Sequence, residues 1–245
     1  MKDIKLIALD MDGTLLNHQQ EVSAKTKQVL QQAMQEDVYV VLATGRHIST
    51  CQPYAEDLQL NSYLVTTNGA EIFDNQYNLV EQHKIESTSV ERLWDIAEKE
   101  QIHTWMVAAE EVFKGNRPNK FQDYTWLKMG YGNLAEEQKA EVIQQINQFG
   151  SFEITNSHPR NIEVNQLGVH KAKAIQSLCN RKGIQMNQVM SVGDSLNDYQ
   201  MIKQAGIGVA MANAQDTILQ VADAVTESNE KAGVAEAVER FLWNK

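Results

Sequence analysis

Only two cysteines, Cys51 and Cys179, occur in 245 residues, with no CxxC pair and no metal-type spacing. That excludes a disulfide scaffold and a thiolate metal site, and predicts reduced, partly buried thiols of a cytoplasmic protein. Prolines number three and no low-complexity stretch appears, while hydrophobic residues reach 42% and charged residues 22%. Collagen-like and disordered chains are thereby excluded. Nothing approaches the ~20 apolar residues of a membrane span. The apolar run before Asp10, Leu6 to Leu9, is too short for a signal-peptide core. An excess of basic residues is also missing: 22 Lys and Arg stand against 32 Asp and Glu, a net charge of −10. Such a chain repels polyanions, and its longest basic cluster (Lys114, Arg117, Lys120) is loose, so neither nucleic acid nor membrane is an expected partner.

What is present reads as alternating strands and helices. Residues 4–9 form a short apolar run ending at a carboxylate, and Val29, Leu30, Ala33 and Met34 recur at helical spacing. Val38 to Ala43 reads as a buried strand, 47–58 as a helix and 62–66 as another strand. The alternation resumes late. A helix through Ala174, Ile175, Leu178 and Cys179 ends at Gly183, strands follow at 189–192, 207–211 and 224–226, and an amphipathic helix closes the chain. This pattern predicts an α/β fold, a parallel-sheet core covered by helices. Residues 83–160 differ: two amphipathic helices lie among four strand-like pieces. The expected organisation is a discontinuous core, 1–82 and 161–245, with an inserted α+β cap at 83–160.

Three polar segments follow three predicted strands: Asp10-Met-Asp12-Gly13-Thr14, Thr44-Gly45-Arg46 and Gly193-Asp194-Ser-Leu-Asn197-Asp198. Ligands in open parallel sheets bind at the carboxyl ends of strands, so these segments are expected to meet at one rim. Clustered aspartates repel unless a cation lies among them, and an all-oxygen donor set suits Mg²⁺. A carboxylate beside Mg²⁺ can attack phosphorus and form an aspartyl-phosphate that water then hydrolyses. Lys171, at the start of a helix, is placed to offset the remaining charge. Other motifs fail. Asp10-x-Asp12 begins like a calcium loop, but Leu15 stands where that loop needs glycine. No Walker A, three-glycine dinucleotide or HExxH sequence occurs.

The segments LDMDGTLL, ATGR, TTNGA, GVHK and GDSLNDYQMI…AGIGVAMANA together resemble the haloacid dehalogenase superfamily of phosphatases, in its Cof-type branch, where a cap is inserted between the second and third motifs. The likeness covers both halves of the core. It implies Asp10 as nucleophile and Asp12 as general acid/base. Mg²⁺ would be held by the Asp10 and Asp194 side chains and the Asp12 backbone carbonyl. Thr44, Lys171, Asn197 and the Gly45 amide would bind phosphate, Asp198 would order metal waters or Lys171, and Arg46 and Asn68 would line the floor facing the cap. The implied activity is hydrolysis of small phosphorylated metabolites such as sugar phosphates. A phosphomutase with the same nucleophile and a non-enzymatic phospho-receiver are the alternatives. The chain departs from the pattern at His170, Ala172 and Ala212. Within the cap, Lys114, Arg117 and Arg160 are the expected substrate-selecting residues.

Overall fold

The computed structural model describes residues 3–244. In chain order the first elements are β1 (Leu6–Leu9), α1 (Ala24–Gln35), β2 (Tyr39–Ala43), α2 (Ile48–Asp57), β3 (Leu64–Thr66), β4 (Glu71–Phe73) and β5 (Leu79–Gln82). Then come α3 (Ser87–Lys99), β6 (His103–Ala108), β7 (Val112–Lys114), β8 (Trp126–Gly132), α4 (Glu136–Asn147), β9 (Phe152–Thr155) and β10 (Ile162–Gln166). The chain ends with α5 (Lys171–Lys182), β11 (Val189–Gly193), α6 (Tyr199–Gln204), β12 (Ile207–Ala210), α7 (Asp216–Val221), β13 (Ala224–Val225) and α8 (Gly233–Trp243).

The α/β expectation holds. One eight-stranded sheet has the order β13-β12-β11-β1-β2-β3-β4-β5, parallel from β13 to β3 and antiparallel from β3 to β5. Its central strands are buried on both faces, which is why they read as continuous apolar runs. Ile7 and Leu9 pack with α1, α2 and α8 on one side, while Leu6 and Ala8 pack with α5 on the other. Each such buried leucine or isoleucine contributes about 1.5–3 kcal/mol. The order reverses at β1, with β2 on one side and β11 on the other. The crevice at that reversal receives the residues that follow all three strands.

A second sheet, antiparallel with order β7-β6-β8-β10-β9, is inserted between the two halves of the first. α3 and α4 cover one of its faces with a separate apolar cluster that includes Val90, Trp94, Trp126 and Ile146. The expected return to the core at 161 needs correction, because β10 at 162–166 completes this sheet. β10 was hidden because its other face carries Glu163 and Asn165, so it lacks the apolar run that marks a buried strand. β4 and β5 were hidden too: they are short, and β5 is an edge strand with exposed residues. Both cysteines are free and buried, and burial pushes their thiols up to about 12 for Cys51 and about 11 for Cys179.

Candidate active site

The site begins where β1 stops. The Asp10 backbone N–H donates to the Val192 carbonyl at 3.1 Å, so the neighbouring strand holds this residue at the rim. Gly13 then turns the chain with φ +79°, and a Cβ there would lie 2.6 Å from Asp194 Oδ2. Only glycine permits both the turn and that approach. Thr14 Oγ1 donates to Asp194 Oδ1 at 3.0 Å, joining the first polar segment to the third.

α5 delivers the cation. His170 is its N-cap, with Nδ1 accepting the Lys173 N–H at 3.3 Å, so histidine does here what a serine hydroxyl does at other helix starts. Burial keeps the His170 ring below its usual pKa, and the neutral ring is the one that can accept. Lys171 follows, fully buried, and its Nζ donates to Asp10 Oδ1 at 2.5 Å and to Asp198 Oδ1 at 2.7 Å. Burial alone would discharge this lysine; the two carboxylates outweigh it and hold its pKa above the ordinary value.

Asp10, Asp194 and Asp198 form a carboxylate cluster whose oxygens lie within 4.8 Å of one another. Burial and then the Asp198 charge hold the Asp10 carboxyl well above its usual range, against the pull of Lys171. The same two causes raise Asp194 to about 6. Asp198 is the most engaged of the three: besides Lys171, it accepts the Asp194 and Ser195 backbone N–H groups at 3.0 and 3.2 Å. It therefore acts as an anchor for the loop and the lysine.

Asp12 lies apart from this cluster. Arg46 grips its carboxylate with two bonds, Nε to Oδ2 at 2.8 Å and Nη2 to Oδ1 at 2.5 Å, and also bonds Gln20. The Asp12 carboxylate and the Asp10–Asp194–Asp198 cluster are thus separate groups. Thr44 is fully buried, and its Oγ1 accepts the Arg46 N–H at 3.1 Å. Asn197 Nδ2 donates to Asn68 Oδ1 at 3.2 Å. Asn68 sits in a strained turn in which both it and Thr67 have positive φ, 61° and 50°. A β-branched threonine there costs roughly 1–3 kcal/mol, and the surrounding packing holds the amide aimed at the site.

A cavity of about 260 Å³ opens beside these groups. Asp10, Asp12, Gly45, Arg46 and Asn197 form its wall on the first sheet. Trp105, Lys128 and Glu163 line it from the second sheet. These three were not singled out from sequence. The available signal was a lone charged residue inside each buried strand, Lys128 in WLKMG and Glu163 in IEVN. Lys114, Arg117 and Arg160 do not line this cavity; Arg117 pairs with Glu91, and Arg160 donates to the Asn133 carbonyl.

A parallel sheet with three aspartates at its switch point, a buried lysine bridging two of them and a covering lobe defines a phosphoryl-transfer enzyme of the phosphatase class. The chain belongs to the haloacid dehalogenase-like hydrolases, matching that family over residues 7–131 and 116–238. It is 43% identical to the 5-amino-6-(5-phospho-D-ribitylamino)uracil phosphatase YcsE of Bacillus subtilis over 98% of this chain and 96% of that one. It is 30% identical to an HMP-PP phosphatase of Serratia proteamaculans, covering 86% and 84% of the two chains. Among solved structures, a haloacid dehalogenase-like hydrolase from B. subtilis shares the fold, with a TM-score of 0.90 and 24% identity over 97% of this chain and 100% of that one. The protein is a phosphoric monoester hydrolase of the Cof type.

Proposed function

We propose that the protein hydrolyses 5-amino-6-(5-phospho-D-ribitylamino)uracil or a close analogue, through a phosphorylated Asp10 and with Mg²⁺. The observation that carries this reading is the Asp10–Lys171–Asp198 bridge beside Asp194. The donor set fits Mg²⁺: it is all oxygen, and burial raises two of its carboxyls, as expected where repelling anions gather around a cation's place. Asp10 and Asp194 would hold the ion by their side chains and Asp12 by its backbone carbonyl. When bound, Mg²⁺ supplies the positive charge that lets a carboxylate approach a phosphate dianion.

Asp10 attacks phosphorus, with Lys171 holding its carboxylate in place and facing the phosphate oxygens. Thr44, the Gly45 amide and Asn197 position the phosphate, and Asp198 keeps Lys171 charged and aimed. With a proton on its carboxyl, Asp12 turns from Arg46 and gives that proton to the departing alkoxide; the carboxylate so formed then takes a proton from the water that attacks the phospho-aspartate. The inserted lobe serves as a cap over the cavity, with the core returning after β10. The substrate choice rests on the 43% identity along nearly the whole chain; its ribityl phosphate is a sugar-alcohol ester, within the class expected from sequence.

The test is turnover of that ester and of p-nitrophenyl phosphate by the purified protein. EDTA should abolish both activities, and Mg²⁺ should restore them with one inorganic phosphate released per alcohol. Asp10→Asn should lose more than about 10³-fold in kcat, over ~4 kcal/mol of barrier. Full activity in excess EDTA, or more than about a tenth of kcat in Asp10→Asn, overturns the mechanism; an isomeric phosphate ester in place of free phosphate indicates a mutase.

A further inference from the structure

We propose that Trp105, Lys128 and Glu163 form a charge-balanced reading surface, selecting phosphate esters whose leaving group is uncharged, hydroxylated and ends in a flat polar ring, and rejecting those that carry a second anion. The inference rests on the phosphatase reading above and deepens it. It starts from strand register. Trp105 pairs with Gly130 and Gly130 with Glu163, so these three share one row across β6, β8 and β10. Val107 pairs with Lys128 in the next row of the same face. That face looks away from α3 and α4 and toward Asp10.

Gly130 makes the ring platform. A Cβ at this position would lie 2.1 Å from Trp105 Cε2, so the indole lies flat across the glycine. Trp105 is half-buried and lines the cavity, giving a ring stacking surface there. Beside it, Lys128 and Glu163 pair at 3.2 Å with side chains only 3% and 4% exposed. Lys128 Nζ also donates to the Gly45 carbonyl at 2.7 Å, and Glu163 accepts from Asn68 Nδ2 at 2.7 Å and Ser157 Oγ at 3.0 Å. Both ions are therefore fixed, and their sum is zero. The other lining cation, Arg46, is already matched by Asp12. In the resting site every lining cation among the described residues has a carboxylate partner, and when Asp12 turns to its proton transfer the Lys128–Glu163 pair stays matched, so a second anion held beside it would face Glu163. Hydroxyls and ring N–H and C=O groups meet both a donor and an acceptor in the same pair.

The experiment measures kcat/KM of the full-length enzyme with Mg²⁺ on ribitol 5-phosphate, phosphoglycolate and the ribitylaminouracil phosphate. Wild type should prefer ribitol 5-phosphate over phosphoglycolate by about 100-fold or more, the scale of a like-charge penalty. Glu163→Gln leaves Lys128 uncompensated and should move that ratio toward phosphoglycolate by about 10-fold, while Glu163→Asp should restore it. Trp105→Leu should cost the ring-bearing ester about 10-fold more than ribitol 5-phosphate, within the range of stacking on an aromatic side chain. Trp105→Leu carries the test alone if Glu163→Gln does not fold. Equal wild-type turnover of the charged and neutral esters, or variants that lower all substrates in proportion, overturns the proposal and leaves the phosphatase reading standing. Failure of wild type to hydrolyse any ester, p-nitrophenyl phosphate included, overturns the phosphatase reading itself and the proposal with it.

Discussion

Asp10 and Asp12 are two residues apart and carry the same functional group, yet their surroundings divide their work. Asp10 is buried beside Lys171, whereas the Asp12 side chain is half exposed and gripped by Arg46. Asp12→Asn should therefore spare the first step when the leaving group needs no proton. With p-nitrophenyl phosphate we expect a burst of one nitrophenolate per site followed by slow turnover, and with an alkyl phosphate a first step slowed about 10²–10⁴-fold. Rapid-quench kinetics distinguishes this from equal losses on both substrates, which would make Asp12 merely electrostatic. Asp194 carries a pH prediction. Its carboxyl is raised to about 6 in the folded protein, so folding favours the protonated form. A raised carboxyl stabilises the fold below its unfolded pKa of about 4, and this is lost as pH rises through about 6. Without Mg²⁺, Asp194→Asn should gain in Tm over wild type as pH goes from 5 to 7. Added Mg²⁺ should raise the wild-type Tm more at pH 7 than at pH 5. Calorimetry showing a parallel pH dependence for the two proteins would contradict the cause assigned to the shift.

The elements that matter most are strand ends and the turns that leave them. β1, β2 and β11 each stop at a polar segment, and the turn after β1 works because Gly13 takes a left-handed conformation costly to other residues and leaves room for the Asp194 carboxylate. Gly13→Ala should destabilise the fold by about 1–3 kcal/mol through strain at positive φ. It should also weaken Mg²⁺ activation, because the new Cβ pushes on Asp194; denaturant melts and a Mg²⁺ titration of activity read the two effects separately. At this scale much was legible from sequence. Strand runs in 38–43 and 189–192, the helix stop at Gly183 and the amphipathic helix at the C-terminus all emerged in place. What escaped had a polar face turned to the site, as in β10, or too few residues to show a period, as in β4 and β5.

Over the whole molecule, the Lys128–Glu163 pair fastens the inserted lobe to the core through the Gly45 carbonyl and the Asn68 amide. Burial alone would raise the Glu163 carboxyl, but Lys128 and the hydrogen bonds from Asn68 and Ser157 hold it below its ordinary value. Removing one partner strands a buried charge. Lys128→Met should cost about 3–5 kcal/mol, and Lys128→Met with Glu163→Leu should recover most of it. A double-mutant cycle from urea unfolding measures this coupling, and additive losses would mean that the pair does not fasten the lobes.

Sequence by itself determined the class of fold and the order of the polar segments along the chain. That information is local: an apolar run marks a buried strand, and a polar turn after it marks a strand end in an open sheet. Tertiary structure alone decided how the charges pair. Lys171 meets Asp10 across 161 positions, Arg46 meets Asp12 across 34, and Asn68 meets Glu163 across 95. No local propensity encodes such distances. They follow from the parallel sheet setting its strand ends side by side and from the second sheet packing its polar face over them, where burial without a partner is too costly to persist.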